Sequence, residues 1–109
     1  MIKYLLVDHY NREGDWGVCQ SLIFNTKEEA KIKAMQLLGY EITDLKNTGY
    51  TVTDATNKSL SELEKEYKAI DGHTLYYWED FGDTIILCEY DRSSINYEEW
   101  IIQEIDVEF

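Results

Sequence analysis

Apolar residues recur along the chain in two rhythms, and the switches between them mark out eight elements. Residues 2–10 (IKYLLVDHY) are mostly apolar and rich in β-formers, which predicts a strand buried on much of both faces. The segment NREGD at 11–15 carries turn chemistry, with Gly14 able to take positive φ. Over 16–24 the residues alternate, placing Trp16, Val18, Leu22 and Phe24 on one face, so the two segments predict a β-hairpin. The rhythm then turns helical. Thr26-Lys27-Glu28-Glu29 is a capping box, and Ala30, Ala34, Leu37 and Leu38 follow at helical spacing until Gly39, which is expected to end the helix. Residues 44–49 read as a loop and 50–54 (YTVTD) as a short strand. Ser59 and Glu62 repeat the capping signal ahead of an apolar stripe of Leu60, Leu63, Tyr67 and Ile70, closed by Asp71-Gly72. Residues 74–78 and 84–90 flank the turn EDFGD and predict a second hairpin. A polar connection over 91–96, a helical turn over 96–99 and a closing strand from about Trp100 complete the chain.

The order ββαβαβββ predicts an α+β fold: a mainly antiparallel sheet of five to six strands with two helices on one face. The 109 residues contain no proline, internal repeat or low-complexity segment, so residues 1–109 are expected to form one domain. Hydrophobic residues are 44% of the chain, enough for a core. The longest uncharged apolar runs, such as IILC at 85–88, fall far short of the ~20 residues that span a bilayer, and no segment reads as a signal peptide. A soluble, unexported cytoplasmic protein is expected. Cys19 and Cys88 lie in apolar strand-like segments without C-x-x-C spacing, which predicts two buried free thiols.

Charge adds an asymmetry. Of 22 acidic and 10 basic residues, positions 1–53 hold seven acids and six bases, whereas positions 54–109 hold fifteen acids and four bases. From Asp71 onward Arg92 is the only base among eleven acids. In the final segment the alternation would set Glu104, Asp106 and Glu108 on one side at about 6.7 Å spacing, with Ile105, Val107 and Phe109 on the other.

Catalytic signatures are missing. There is no G-x-x-x-x-G-K-[ST], G-x-G-x-x-G or G-x-S-x-G, and the six glycines are scattered. His9 and Cys19 approach each other across the first hairpin, but the register sets Cys19 one step off, and no orienting group accompanies them. Glu79, Asp80 and Asp83 crowd one turn without the order of an EF-hand loop and read as a solvated acidic turn. The expectation is therefore a protein with no catalytic residues, no cofactor and no metal, and the acidic half argues against direct nucleic-acid binding.

Carboxylates interleaved with aromatics suit docking on a basic protein, because rings anchor while carboxylates pair with Arg and Lys. A short, proline-free, intensely acidic α+β chain with EDFGD and EIDVE segments resembles the small inhibitors of phages and mobile elements, notably anti-CRISPR and DNA-mimic anti-restriction proteins. That resemblance implies a non-enzymatic inhibitor occupying the nucleic-acid site of a basic defence nuclease, such as a CRISPR-Cas effector. The expected partner-binding residues are Glu79, Asp80, Asp83, Glu89, Asp91, Glu98, Glu99, Glu104, Asp106 and Glu108, with Tyr76 and Trp78 as anchors. The alternative is a homodimerising accessory or regulatory protein of a mobile element, without nucleic-acid mimicry.

Overall fold

The computed structural model describes residues 1–12, 14–70, 74–90 and 96–108. Within them run β1 (Ile2–Arg12), β2 (Asp15–Phe24), α1 (Lys27–Asn47), β3 (Thr51–Asp54), α2 (Leu60–Ala69), β4 (Leu75–Asp80), β5 (Thr84–Tyr90) and β6 (Tyr97–Asp106). The strands form one six-stranded sheet in the order β2-β1-β6-β5-β4-β3. Every pairing is antiparallel except β3 with β4. The expected α+β class, element order and mainly antiparallel sheet are therefore present.

Both capping signals work as local chemistry dictates. Glu29 N–H donates to Thr26 Oγ1 at 3.2 Å and Glu62 N–H to Ser59 Oγ at 3.3 Å, each supplying an acceptor to a first-turn donor that has none within the helix. Two boundaries differ from expectation. Helix α1 continues through Gly39 to Asn47, so most of 44–49 is helix rather than loop, and it ends at Gly49 with φ 96°. Ile42 and Leu45 prolong the apolar stripe of Leu38 over the sheet, which outweighs the roughly 1 kcal/mol that a mid-helix glycine costs. Residues 97–99 are strand rather than helical turn, because β1 and β5 both pair with them. The Asp71-Gly72 helix stop lies outside the described residues.

Strand alternation sorts the side chains onto two faces. On one, Leu6, Ile85, Leu87, Trp100 and Ile102 pack under Ala30, Ala34 and Leu38 of α1, with Tyr4, Phe24, Tyr76 and Trp78 around them. Small residues at 30 and 34 let the helix approach closely, and Trp100 is 1% exposed. The second helix does not share that face. Leu63 of α2 packs with Ala55 and Leu75, bordered by Tyr67, Ile70, Tyr77 and Tyr90. Leu75 and Tyr77 leave β4 opposite to Tyr76 and Trp78, so α2 sits behind the β3–β4 end of the sheet. The helices thus cover opposite faces, a correction to the expected single layer. Behind β2, β1 and β6 the described residues include no covering element over Leu5, Val7, Ile101 and Ile105, and Ile23 of the edge strand is 62% exposed.

Candidate functional site: an acidic pocket over a buried carboxyl pair

One irregularity in the sheet builds the site. Asp8 pairs with Gln20, but His9 pairs with Val18, so Cys19 is an extra residue in β2, a β-bulge on the edge strand. A bulge shifts the side-chain alternation by one, and it splits the expected row of Trp16, Val18, Leu22 and Phe24. Leu22 and Phe24 oppose Leu6 and Tyr4 on the α1 face, whereas Trp16 and Val18 oppose Asn11 and His9 on the other and are 70% and 55% exposed. The bulge also carries the Cys19 thiol to the α1 side. Donor atoms of Asp8, Cys19 and Glu98 there lie within 4.8 Å of one another, the described residues whose geometry suits a metal ion. Cys19 is exposed and Cys88 half-buried, which corrects the expectation of two buried thiols. His9 is separated from Cys19 and instead meets Glu99 behind the sheet, Nδ1 to Oε1 at 3.1 Å.

Asp8 and Glu98 are 4% and 8% exposed. They come from adjacent strands, since Tyr10 pairs with Glu98 and Asp8 with Trp100. Burial pushes the Glu98 carboxyl up to about 9, and its hydrogen bond to Asp8 and the charges of Asp8 and Glu41 push the same way. The Arg12 guanidinium, 4.0 Å from Glu98 Oε1 and largely exposed, offsets only part of this. At neutral pH Glu98 therefore keeps its proton, directed to Asp8. Gln20 Nε2 donates to Asp8 Oδ2 at 3.4 Å, while Asp8 Oδ1 has no hydrogen-bond partner.

Glu98 forms part of the wall of a cavity of about 490 Å³ between α1 and the sheet. Glu41, Asp44 and Leu45 come from the helix, Tyr76, Leu87, Glu89 and Tyr97 from the strands, and Arg12 closes the rim. Burial raises the Glu41 carboxyl, with Asp8 and Asp44 adding to the shift and Arg12 opposing it. Burial likewise raises the Tyr76 hydroxyl, helped by Glu89. Arg12 is held over the Tyr10 ring at 5.6 Å, and that ring lies so close to Gly17 that an added Cβ would stand 3.1 Å from its hydroxyl.

Comparison with protein-family models, curated proteins and solved structures returns no match.

The twelve residues expected from sequence do not share one surface. Glu89, Glu98 and Tyr76 meet at the pocket. Trp78 packs into the core beneath α1, where it serves as filling rather than as an exposed anchor. At the opposite end of the α1 face, Asp80 accepts from Lys31 Nζ at 2.5 Å and Asp83 pairs with Lys27 Nζ at 2.5 Å. The Lys31 hydrogen bond holds the Asp80 carboxyl below its ordinary range, against the effect of burial. Asp106 pairs with the Met1 ammonium at 3.0 Å, and Glu104 and Glu108 are exposed nearby. Glu79 and Glu99 leave their strands on the far face. Asp91 lies outside the described residues. The terminal row is also shorter than expected, since β6 ends at Asp106. The basic residues of the first half thus neutralise much of the acidic turn, while Glu89 and Glu98 join Glu41 and Asp44 at the pocket. Asp8, Glu41 and Asp44 escaped the sequence reading, and Cys19 was weighed there only against His9; the bulge that brings it to Asp8 and Glu98 has no local sequence sign.

Proposed function

We propose that the protein is a non-enzymatic binding module that takes a basic side chain of a protein partner into the pocket between α1 and the sheet. The observation that carries this reading is the wall composition: among the described residues the acids Glu41, Asp44, Glu89 and Glu98, the last of them protonated at neutral pH, stand beside one cation, Arg12. Tyr76 in the same wall offers a ring face on which a guanidinium stacks while carboxylates receive its donors. A cavity of about 490 Å³ falls in the range of small-ligand pockets and has room for one arginine side chain. The net charge of −12 draws in a cationic partner over the last nanometre of approach. A partner whose arginines line a nucleic-acid groove satisfies these features, so inhibition of a nucleic-acid enzyme, including a defence nuclease, is the biological form we propose.

The test is titration of a labelled arginine-rich peptide at low and physiological salt, followed by DNA cleavage by an RNA-guided nuclease with the protein added. Wild type is expected to bind with salt-sensitive affinity and to slow cleavage. Glu41→Lys with Glu89→Lys should weaken peptide binding at least tenfold, and Glu104→Lys with Asp106→Lys and Glu108→Lys less than threefold. Equal binding by wild type and the pocket double variant would refute the pocket reading.

A second reading, self-association, is favoured by the sheet face behind β2, β1 and β6. Leu5, Val7, Ile101 and Ile105 lie there without a covering helix among the described residues, with Trp16, Val18 and Ile23 exposed beside them. Lys3, His9, Tyr97 and Glu99 are the charged or titratable described residues that alternation places on this part of the face. Two acidic copies would therefore meet there with the least repulsion. Sedimentation across a salt series tests it: a dimer that strengthens with salt and is lost in Ile23→Lys supports the reading, and a monomer at every salt removes it.

A further inference from the structure

We propose that Asp8, Cys19 and Glu98 form a binding site for one divalent transition ion of the zinc type. The inference does not rest on the docking reading. It stands on three observations of different kinds. First, the donors converge: the Cys19 thiol and one oxygen each of Asp8 and Glu98 lie within 4.8 Å of one another. Closing that triangle to the roughly 3.5 Å edges of a tetrahedral zinc site takes about an ångström of side-chain rotation, and exposed Cys19 is free to supply most of it. Second, Asp8 is 96% buried, and its Oδ1 accepts from no N–H or hydroxyl donor, so the neighbouring Glu98 carboxyl is what the group has there besides Gln20. Buried carboxylates are normally satisfied, and an ion held with Glu98 and Cys19 supplies this one. Third, the β-bulge exists at this position alone in the β1–β2 ladder, and its structural effect is to bring Cys19 to the face that Asp8 and Glu98 occupy.

The ligand set selects the ion. A thiolate with two carboxylates suits a borderline-soft ion such as Zn²⁺ and disfavours Mg²⁺ and Ca²⁺, which take oxygen shells. Supporting contacts of the kind that orient metal ligands are in place: Gln20 Nε2 fixes Asp8 through Oδ2, and Arg12 stands 4.0 Å from Glu98 Oε1. The ion takes the place of the Glu98 proton and of the thiol proton, so three negative ligands meet two positive charges with Arg12 adjacent. Three protein ligands leave a fourth position for water or a ligand, and of the three Glu98 also lies in the wall of the pocket.

The test uses the full chain, stripped with a chelator and kept reduced. Zn²⁺ is followed by calorimetry and Co²⁺ by absorbance, because cobalt bound to a thiolate shows intense near-ultraviolet absorption that oxygen ligands do not give. The expected result is one Zn²⁺ per chain, the cobalt–thiolate band, and no response to Mg²⁺ or Ca²⁺. Cys19→Ser should abolish the band and weaken Zn²⁺ at least tenfold; Glu98→Gln should weaken Zn²⁺ at least tenfold; Cys88→Ser should change neither. Amide NMR shifts of the unsubstituted protein on adding Zn²⁺ give a readout independent of variant folding and should centre on Asp8, Cys19 and Glu98. The proposal is overturned by absence of saturable zinc binding, by a cobalt band that survives Cys19→Ser, or by shifts centred elsewhere.

Discussion

Replacing Glu98 by Gln tests the carboxyl pair directly. In the unfolded chain a glutamate gives up its proton near pH 4.5, whereas in the folded protein burial and Asp8 hold the Glu98 proton until about pH 9. The folded state therefore binds one proton more than the unfolded state between those limits. The sign follows: the stabilisation is complete below about pH 4.5 and is lost as the pH rises toward 9. One proton corresponds to about 1.4 kcal/mol per pH unit, so from pH 6 to pH 8 the residue removes between about 2 and 3 kcal/mol of stability. Glutamine keeps the shape and a donor toward Asp8 but has no proton to lose. Urea denaturation of metal-free, reduced protein at pH 6, 7 and 8 should show wild type losing about 2 to 3 kcal/mol relative to Glu98→Gln, with the variant the more stable at pH 8. Glu41 is raised as well and tilts both curves alike, so the difference between the proteins is the measured quantity. Parallel stability–pH lines would refute the retained proton.

Three further outcomes follow from the packing and the ion pairs. Leu38→Ala removes a side chain that is 1% exposed beneath α1 and should cost about 3 kcal/mol by chemical denaturation, in the range of cavity-forming Leu→Ala changes. Thr26→Ala deletes the acceptor for Glu29 N–H and should cost about 1 kcal/mol, read as a lower thermal midpoint. Lys31→Ala removes the donor that holds Asp80 low, so an NMR titration should show the Asp80 carboxyl moving up toward its ordinary range. Because that carboxyl is depressed in the folded state, its stabilisation is present at neutral pH and lost as the pH falls through its folded value; the variant should lose this acid-side dependence.

What could be read in the sequence was what neighbours along the chain decide. The capping residues Thr26 and Ser59, the turn glycines and the two hairpins depend on contacts within a few positions, and each appears where the pattern puts it. Gly39 misled because its local cost is about 1 kcal/mol, less than Ile42 and Leu45 gain by lying on a sheet that local sequence does not display. The side on which α2 packs was equally hidden: Leu75, Tyr76, Tyr77 and Trp78 are all apolar or aromatic, so neither face of β4 announces itself as the core. Charge was legible as a total but not as a map. That Lys27 and Lys31 would sit over Asp83 and Asp80 depends on the path of α1 across β4 and β5, fifty positions from its start. The carboxyl pair was the least visible, since Asp8 and Glu98 meet through strands from opposite ends of the chain.

That meeting has a consequence for how the molecule is assembled. β6 is inserted between β1 and β5, and the Met1 ammonium bonds to Asp106 across 105 positions. Both hairpins can form as the chain lengthens, yet they remain two separate sheets until the last strand slides between them. Closing so large a loop makes the first committed step entropically steep, and a topology dominated by distant pairings folds slowly. By the same geometry, a circular permutant that joins residue 108 to Met1 through a short linker and opens the chain at the 81–82 turn converts the slowest pairing into a local hairpin, and should fold faster than the natural order.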